Sequence, residues 1–382
     1  MPTLTDQKSL VTAAEAALPQ ILADIERVIS VETPSDDKVA VARGAAEFSA
    51  LLTERLGVTP ETVVIGETTH LRLRFGSGDP KVVLVNHQDT VWPHGTLARK
   101  PFSTEDGILR GPGSFDMLTG AVMSIHAAKL LQDSLGAEAL DGLSILVTGD
   151  EEIGSKDSSE FIRAEAKNAN AAFVMEASAG GALKIARKGT SDYRVIVKGK
   201  AAHSGLEPEK GINALLELAH QAQVVADLGN PELGTTVVPT KFSGGTTTNT
   251  VPAEGVFAVD VRAKSIAEQE RVDAAIRALT SSIEGASIEI EGSINRPPLE
   301  ESMTAELFAR ATELAADLGL PAPTGVAVGG ASDGNFTAAD GVPTLDGLGA
   351  VGDGAHAEHE HAIIAEIAPR TALLAALIAD RL

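Results

Sequence analysis

The chain of 382 residues has no cysteine, so disulfides, thiolate nucleophiles and thiolate metal ligands are all excluded, and redox compartment is uninformed. Basic residues are scarce: 31 Lys and Arg stand against 53 Asp and Glu, giving a net charge of −22. That balance argues against nucleic acid or an anionic membrane as partner. It does not exclude an anionic small molecule, because local arginines or cations dominate inside a cleft. No apolar run approaches the roughly 18 residues of a membrane span. Residues 1–20 lack the basic-then-apolar pattern of a secretory leader, so a soluble cytoplasmic protein is expected. There is no long repeat or low-complexity tract, and the length suggests about two domains with a large core.

Several apolar runs end in metal-binding or acidic side chains. The first covers Val82, Val83, Leu84 and Val85 and leads to His87 and Asp89. Unbroken aliphatic runs of this kind read as strands buried on both faces of a largely parallel sheet. Residues two apart share a side of an extended chain, so Asp89 is placed to accept the second ring N–H of His87. A second run, 143–148, ends in Asp150, Glu151 and Glu152, and a third, 171–175, ends in Glu176. Three adjacent carboxylates repel one another unless a cation or protons intervene. In open α/β sheets ligands bind outside the carboxyl ends of the strands, where these residues fall.

Between the first two strands, Gly111-Pro112-Gly113-Ser114-Phe115-Asp116 leads into an apolar helix expected over 118–131. No Lys-Ser or Lys-Thr pair follows the glycines, so the loop is not a phosphate cradle. The ordinary role of Asp116 there is a helix cap, and that of the acidic triplet a solvated turn. Taken jointly with His356, however, His87, Asp116, Glu152 and Glu176 make five potential ligands. Five are too many for one open catalytic zinc, which takes three protein ligands and water. If Asp116 bridges, each of two metals receives three. Imidazole and carboxylate ligands suit two zinc ions, with cobalt or manganese as alternatives.

These motifs resemble the co-catalytic zinc exopeptidases and deacylases that include glutamate carboxypeptidase, acetylornithine deacetylase and succinyl-diaminopimelate desuccinylase. The resemblance runs through His87-Gln88-Asp89-Thr90-Val91, Gly111-Pro112-Gly113 with Asp116, Asp150-Glu151-Glu152, Glu176, Gly199-Lys200-Ala201-Ala202-His203-Ser204-Gly205, Asn249-Thr250-Val251-Pro252, Asp260-Val261-Arg262 and Gly354-Ala355-His356. Order and spacing are most similar to glutamate carboxypeptidase. The resemblance implies one metal on His87 and Glu176, another on Glu152 and His356, and Asp116 between them. It further implies Asp89 as partner of His87, a cis peptide after Asp116, and Glu151 as general base for a metal-bridging hydroxide attacking an amide. His203 would steady the oxyanion. The chain departs from many relatives at Leu118, where they carry Lys. Glu at 176 is similar to the carboxypeptidases and deacylases, whereas aminopeptidases and dipeptidases carry Asp.

From about Thr190 the pattern changes to alternating strands, 192–198 and 255–262, followed by amphipathic stretches 212–226 and 267–283. The expected fold is therefore α/β, a mixed, mostly parallel sheet flanked by helices and built from 1–189 plus 297–382. An α+β lid and dimerisation domain, 190–296, is inserted, and the resemblance implies a homodimer through it. Asn249, Arg262, Arg296 and Gly330 are the candidate substrate contacts, Arg262 being suited to a bidentate grip on a carboxylate. Lys184, Arg187 and Lys188 could add positive charge, and Ser332 could instead cap a helix. His359 and His361 are expected to be exposed, His126 to be packed in its helix, and His70, His94 and His220 to lie outside any motif. The substrate expected is a small N-acyl amino acid or short peptide releasing a carboxyl-terminal or N-acylated residue, glutamate-like first. Alternatives are an N-acyl-amino-acid deacylase with another preference, an aminopeptidase or dipeptidase, and a metal-binding dimer without activity.

Overall fold

Strands Val82–His87, Leu143–Thr148 and Ala171–Val174 are buried along their whole length, as their unbroken aliphatic composition requires. The computed structural model describes residues 8–382; the first seven residues of the 1–20 stretch lie outside it. The three strands pair in parallel, Val82–His87 in the centre. Thr344–Leu345 extends the sheet in parallel beyond Ala171–Val174, and Thr68–Arg74 and Glu61–Ile65 close the other edge antiparallel. The result is a mixed, mostly parallel six-stranded sheet with helices on both faces.

One face packs against helices Lys8–Ile29, Lys38–Leu56, Leu118–Leu135 and Ile367–Arg381 in a large aliphatic core. On the other, Val83, Val85 and Leu146 meet Ile162 and Phe336. The helix expected over 118–131 runs one turn further, to Leu135, where Gly136 with φ of 91° ends it. Two glycines let this core close on the site. A Cβ on Gly120 or on Gly349 would lie 2.1 Å from the Met175 carbonyl oxygen, so both positions need the bare backbone.

The chain separates into two compact units: one holds the chain up to Ala186 with Glu301–Val328 and Ser332–Leu382, the other Arg187–Glu300 with Gly329–Ala331. The second unit is an antiparallel sheet in the order Thr236–Gly244, Glu254–Ala263, Gly189–Lys198, Ser287–Arg296. Its strands alternate: Tyr193, Val195, Val197, Phe257, Val259 and Val261 bury one face under helices Ala214–Ala226 and Ile266–Arg277. Both helices are shorter than their amphipathic stretches, the first beginning at Ala214 and the second ending at Arg277, and side chains cap both at the start. Asn213 accepts from Leu215 N and Leu216 N, and Ser265 from Glu268 N. Among the described residues no helix is long and apolar enough to cross a membrane.

Candidate metal centre

Every residue of the candidate metal set belongs to the first unit and sits where a strand or loop leaves the carboxyl edge of its sheet. His87 closes its strand; Glu151 and Glu152 form a single turn, Glu151–Ile153, after Leu143–Thr148; Glu176 follows Ala171–Val174. Asp116 precedes helix Leu118–Leu135 and is joined to Met117 by a cis peptide bond. His356 lies in a loop with φ of 61°, just after Gly354 at 85°.

The two oxygens of Asp116 point to different histidines. Oδ1 is 3.3 Å from His87 Nε2, and Oδ2 is 3.3 Å from His356 Nε2. Glu176 Oε1 is 3.6 Å from His87 Nε2, and Glu152 Oε2 is 3.0 Å from His356 Nε2. Ligand atoms of His87, Glu151 and Glu176 fall within 4.8 Å of one another, as do those of His87, Asp116 and Glu152. Lys184 Nζ stands 3.7 Å from Glu176 Oε2, at the edge of the cluster.

Three atoms of this cluster are buried without a hydrogen-bond partner: His87 Nε2, Asp116 Oδ1 and Glu152 Oε1. Buried polar groups are rarely left so. His87 Nδ1 lies 3.0 Å from the Asp89 main-chain carbonyl, which only accepts, so Nδ1 carries a proton. Nε2 faces the Asp116 and Glu176 carboxylates; burial would lower the ring's pKa, but these two with Asp89 hold it well above the usual histidine range. The electrostatics agree. Asp116 and Glu152 push His356 up to about 10. Burial, with the charge of Asp116, pushes Glu152 up to about 7. A pocket that holds protons this firmly is one in which cations replace protons. The donor set of two imidazoles and several carboxylates therefore fits hard or borderline divalent cations.

Asp89 pairs with His87, as expected, and does more besides. Its carboxylate is 3.5 Å from His87 Nδ1, and the closer contact to that nitrogen is its own main-chain oxygen. The carboxylate also accepts from Glu151 N at 3.1 Å, Glu152 N at 3.2 Å and Ser35 Oγ at 2.7 Å. Asp89 thus orients the turn carrying both glutamates. Asp150, the first of the three acids, leaves the cluster and accepts from Asp157 N and Ser158 N, at the start of helix Ser159–Ala166.

Beside Glu152 opens a groove of about 280 Å³ lined by Pro34, Ser35, Asp36, Val91, Pro93 and Ile153. Val91 and Ile153 are 42% and 40% exposed there.

The other candidate residues form a separate group in the second unit. His203 pairs with Thr250 across a β-bridge, and Ser204 N donates to the Asn249 carbonyl at 3.0 Å. Arg262 already makes a bidentate contact, with Asp260 at 2.8 and 3.3 Å. Arg296 is buried, its carbonyl accepting from Gln269. Arg187, buried, donates to the carbonyls of Gly330 and Ala331. Lys188 is held below the usual lysine range by burial and by Lys264 and Arg262. In the first unit, Ser332 Oγ donates to Asp346 and accepts from Gly334 N, bracing helix Gly334–Ala339.

The remaining histidines divide by environment. His126 is buried and bonded to Asp24, His94 pairs with Asp37 at 2.8 Å, and His359 is exposed. His70 is buried and accepts from Gly149 N. Two site residues were missed in the sequence, Ser35 and Glu360. Ser35 sits 54 positions from its partner. Glu360 is masked by the acid- and histidine-rich run around it.

A histidine–carboxylate cluster on the carboxyl edge of a mostly parallel sheet defines a metal-dependent hydrolase. The chain belongs to peptidase family M20/M25/M40, whose model matches residues 83–380. It is 28% identical over 389 residues to carboxypeptidase G2 of Pseudomonas sp. (strain RS-16), covering 97% of this chain and 91% of that protein. It is 27% identical over 367 residues to succinyl-diaminopimelate desuccinylase of Methylorubrum populi, covering 86% and 91%. The fold superposes on a tripeptidase from Staphylococcus aureus with a TM-score of 0.70 at 19% identity, covering 95% of this chain and 98% of that one. Members of the family hydrolyse amide bonds with the help of metal ions.

Proposed function

We propose that the chain is a co-catalytic metallo-carboxypeptidase or amidohydrolase that releases a carboxyl-terminal or N-acylated amino acid, glutamate-like first. The observation that carries this reading is Asp116, whose two oxygens face His87 and His356 separately. His87 and Glu176 would hold one cation, Glu152 and His356 the other, with Asp116 shared; zinc is the first choice, cobalt or manganese alternatives. When bound, the pair supplies Lewis-acid polarisation of the scissile carbonyl and an acidified water.

The chain's own groups do the rest. Glu151, buried and carried on the turn that Asp89 orients, takes a proton from the attacking water on its carboxylate and returns it to the leaving nitrogen. Positioned proton transfer of this kind contributes about 10²–10⁴-fold. His203 is assigned to the developing oxyanion, and Asn249, Arg262, Arg296 and Gly330 to the substrate's carboxyl-terminal residue. For Arg262 that role requires exchange of Asp260 for the substrate carboxylate. Similarity to carboxypeptidase G2 along nearly the whole chain supports the first reading. A homodimer through the second unit, in the cytoplasm, is part of the same proposal; Val238 and Phe242, exposed on edge strand Thr236–Gly244, support the interface.

A second reading, a deacylase whose preference is set by the acyl group, is favoured by the groove beside Glu152, where Val91 and Ile153 are exposed. Amine release from N-acyl amino acids and short peptides separates the two when acyl group and carboxyl-terminal residue are varied independently. Dependence on a free-carboxylate residue supports the carboxypeptidase; dependence on the acyl group supports the deacylase. Turnover that survives Glu151→Gln undiminished would overturn both.

A further inference from the structure

We propose that Glu360 is the residue that positions Asp116 against His356, and so sets the affinity of the cation held by His356, Glu152 and Asp116. The inference rests on the ligand assignment above. Asp116 and His356 are far apart in the chain. Strand His361–Ile363, just after the His356 loop, pairs antiparallel with Ile108–Arg110, just before the Asp116 loop, with His361 opposite Arg110. Beyond that pairing, Glu360 ties the two loops together through its side chain. It lies four residues after His356 and is fully buried. Oε1 accepts from Phe115 N at 2.9 Å and Asp116 N at 3.1 Å; Oε2 accepts from Gly113 N at 3.0 Å and Trp92 Nε1 at 2.7 Å. Lys100 Nζ, 3.9 Å from Oε2, offsets the charge.

Three amides of one short loop therefore converge on a single carboxylate, and the last of them belongs to Asp116 itself. Gly111 and Gly113, with φ of 154° and 71°, give the loop the curl that turns its N–H groups inward. On the other side the Glu360 amide donates to the Ala357 carbonyl and the Ala357 amide to that of Gly354, closing a tight loop around His356. A Cβ on Gly354 would come within 2.8 Å of Glu360 N, so the two segments are packed to contact. The four groups hydrogen-bonded to the carboxylate are all N–H donors. Glutamine would set its own NH₂ against two of them, leaving the loop that carries Asp116 without half of its anchor.

The test is a cobalt(II) titration of metal-stripped, full-length wild type, Glu360→Gln and Glu360→Asp, followed by visible absorption and by chelator competition. Wild type is expected to take two equivalents. Glu360→Gln is expected to keep the first within about threefold and to weaken the second by about 10–100-fold, the usual effect of losing an outer partner of a metal ligand. Glu360→Asp, which keeps the charge on a shorter stem, is expected to fall between. The metal-free melting temperature of each is recorded alongside, because a residue that only supports the fold would lower it and weaken both equivalents together. Two equivalents bound by Glu360→Gln with wild-type affinity overturn the inference and leave the ligand assignment standing. Wild type that binds no cobalt overturns the assignment and the inference with it. If Glu360→Gln does not fold, Trp92→Phe removes a single donor: about a threefold loss confined to the second equivalent supports the inference, and no loss overturns it.

Discussion

Replacing Asp89 by asparagine changes no volume and removes one negative charge from a residue with no exposed surface. The three donors on its carboxylate decide the effect. An asparagine can place its oxygen toward Glu151 N and its NH₂ toward Ser35 Oγ, since a hydroxyl also accepts. In that orientation Glu152 N is left facing a second donor. A hydrogen bond to a charged group is worth about 1.5–3 kcal/mol, and a buried donor left unsatisfied costs about 1–3 kcal/mol. The expected total is therefore near 3 kcal/mol, part of it relieved by the turn Glu151–Ile153 moving away. That movement carries Glu151 and Glu152 out of place. Asp89→Asn is thus expected to lose about 10–100-fold in metal affinity and in kcat, with KM nearly unchanged. Chelator competition measures the first, amine release the second, and scanning calorimetry of the metal-free protein the stability. Wild-type kcat and metal affinity in Asp89→Asn would refute the reasoning. A lowered melting temperature with both intact would reduce Asp89 to a fold residue.

Stripping metal with a chelator leaves Asp116, Glu151, Glu152 and Glu176 to repel one another, so the melting temperature should fall and zinc should restore it. At free metal 100-fold above the dissociation constant the linkage amounts to about 2.7 kcal/mol, and an unmoved transition would refute a preformed site. In the second unit, burial would raise Glu217, but Gln221, Ser282 and Ile283 hydrogen bonds outweigh it and hold the carboxyl at about 2, from 4.5. Its stabilisation, about 3 kcal/mol by linkage, is present above pH 4.5 and lost as pH falls toward 2. The urea midpoint should drop more steeply across that window in wild type than in Glu217→Gln, since other depressed carboxylates titrate in both; parallel curves would sink the idea. Val91→Asp should cut kcat/KM for the most apolar acyl groups about tenfold, the worth of about 1.5 kcal/mol of lost apolar contact. An equal effect on all acyl groups would place the substrate elsewhere.

The parallel sheet was legible because burial on both faces demands unbroken aliphatic runs, and Val82–His87, Leu143–Thr148 and Ala171–Val174 are such runs. Positions of His87, Glu151, Glu152 and Glu176 followed, since each lies at or within a few residues of a strand's carboxyl end. Alternation likewise marked strands Gly189–Lys198 and Glu254–Ala263. Helix Ile266–Arg277 is shorter than its amphipathic stretch. The segment beyond it is used otherwise: the amides of Ser282 and Ile283 bind Glu217.

By itself, the sequence determined which chemistry is available: imidazoles and carboxylates at strand ends, no thiol, and a net negative charge that points away from polyanions. Only the tertiary structure decided how those groups are used. It turned Asp150 to the amides of Asp157 and Ser158 while Glu152 stayed with His356, shared the Asp89 carboxylate between His87 and the turn Glu151–Ile153, and occupied Arg262 with Asp260. It also brought Glu360 onto the Asp116 loop across 244 positions of chain. The physical reason is range. Periodicity reports a residue's neighbours along one strand or helix, whereas the last hydrogen bond of a buried carboxylate is made to whichever amides the packing of distant segments leaves unpaired.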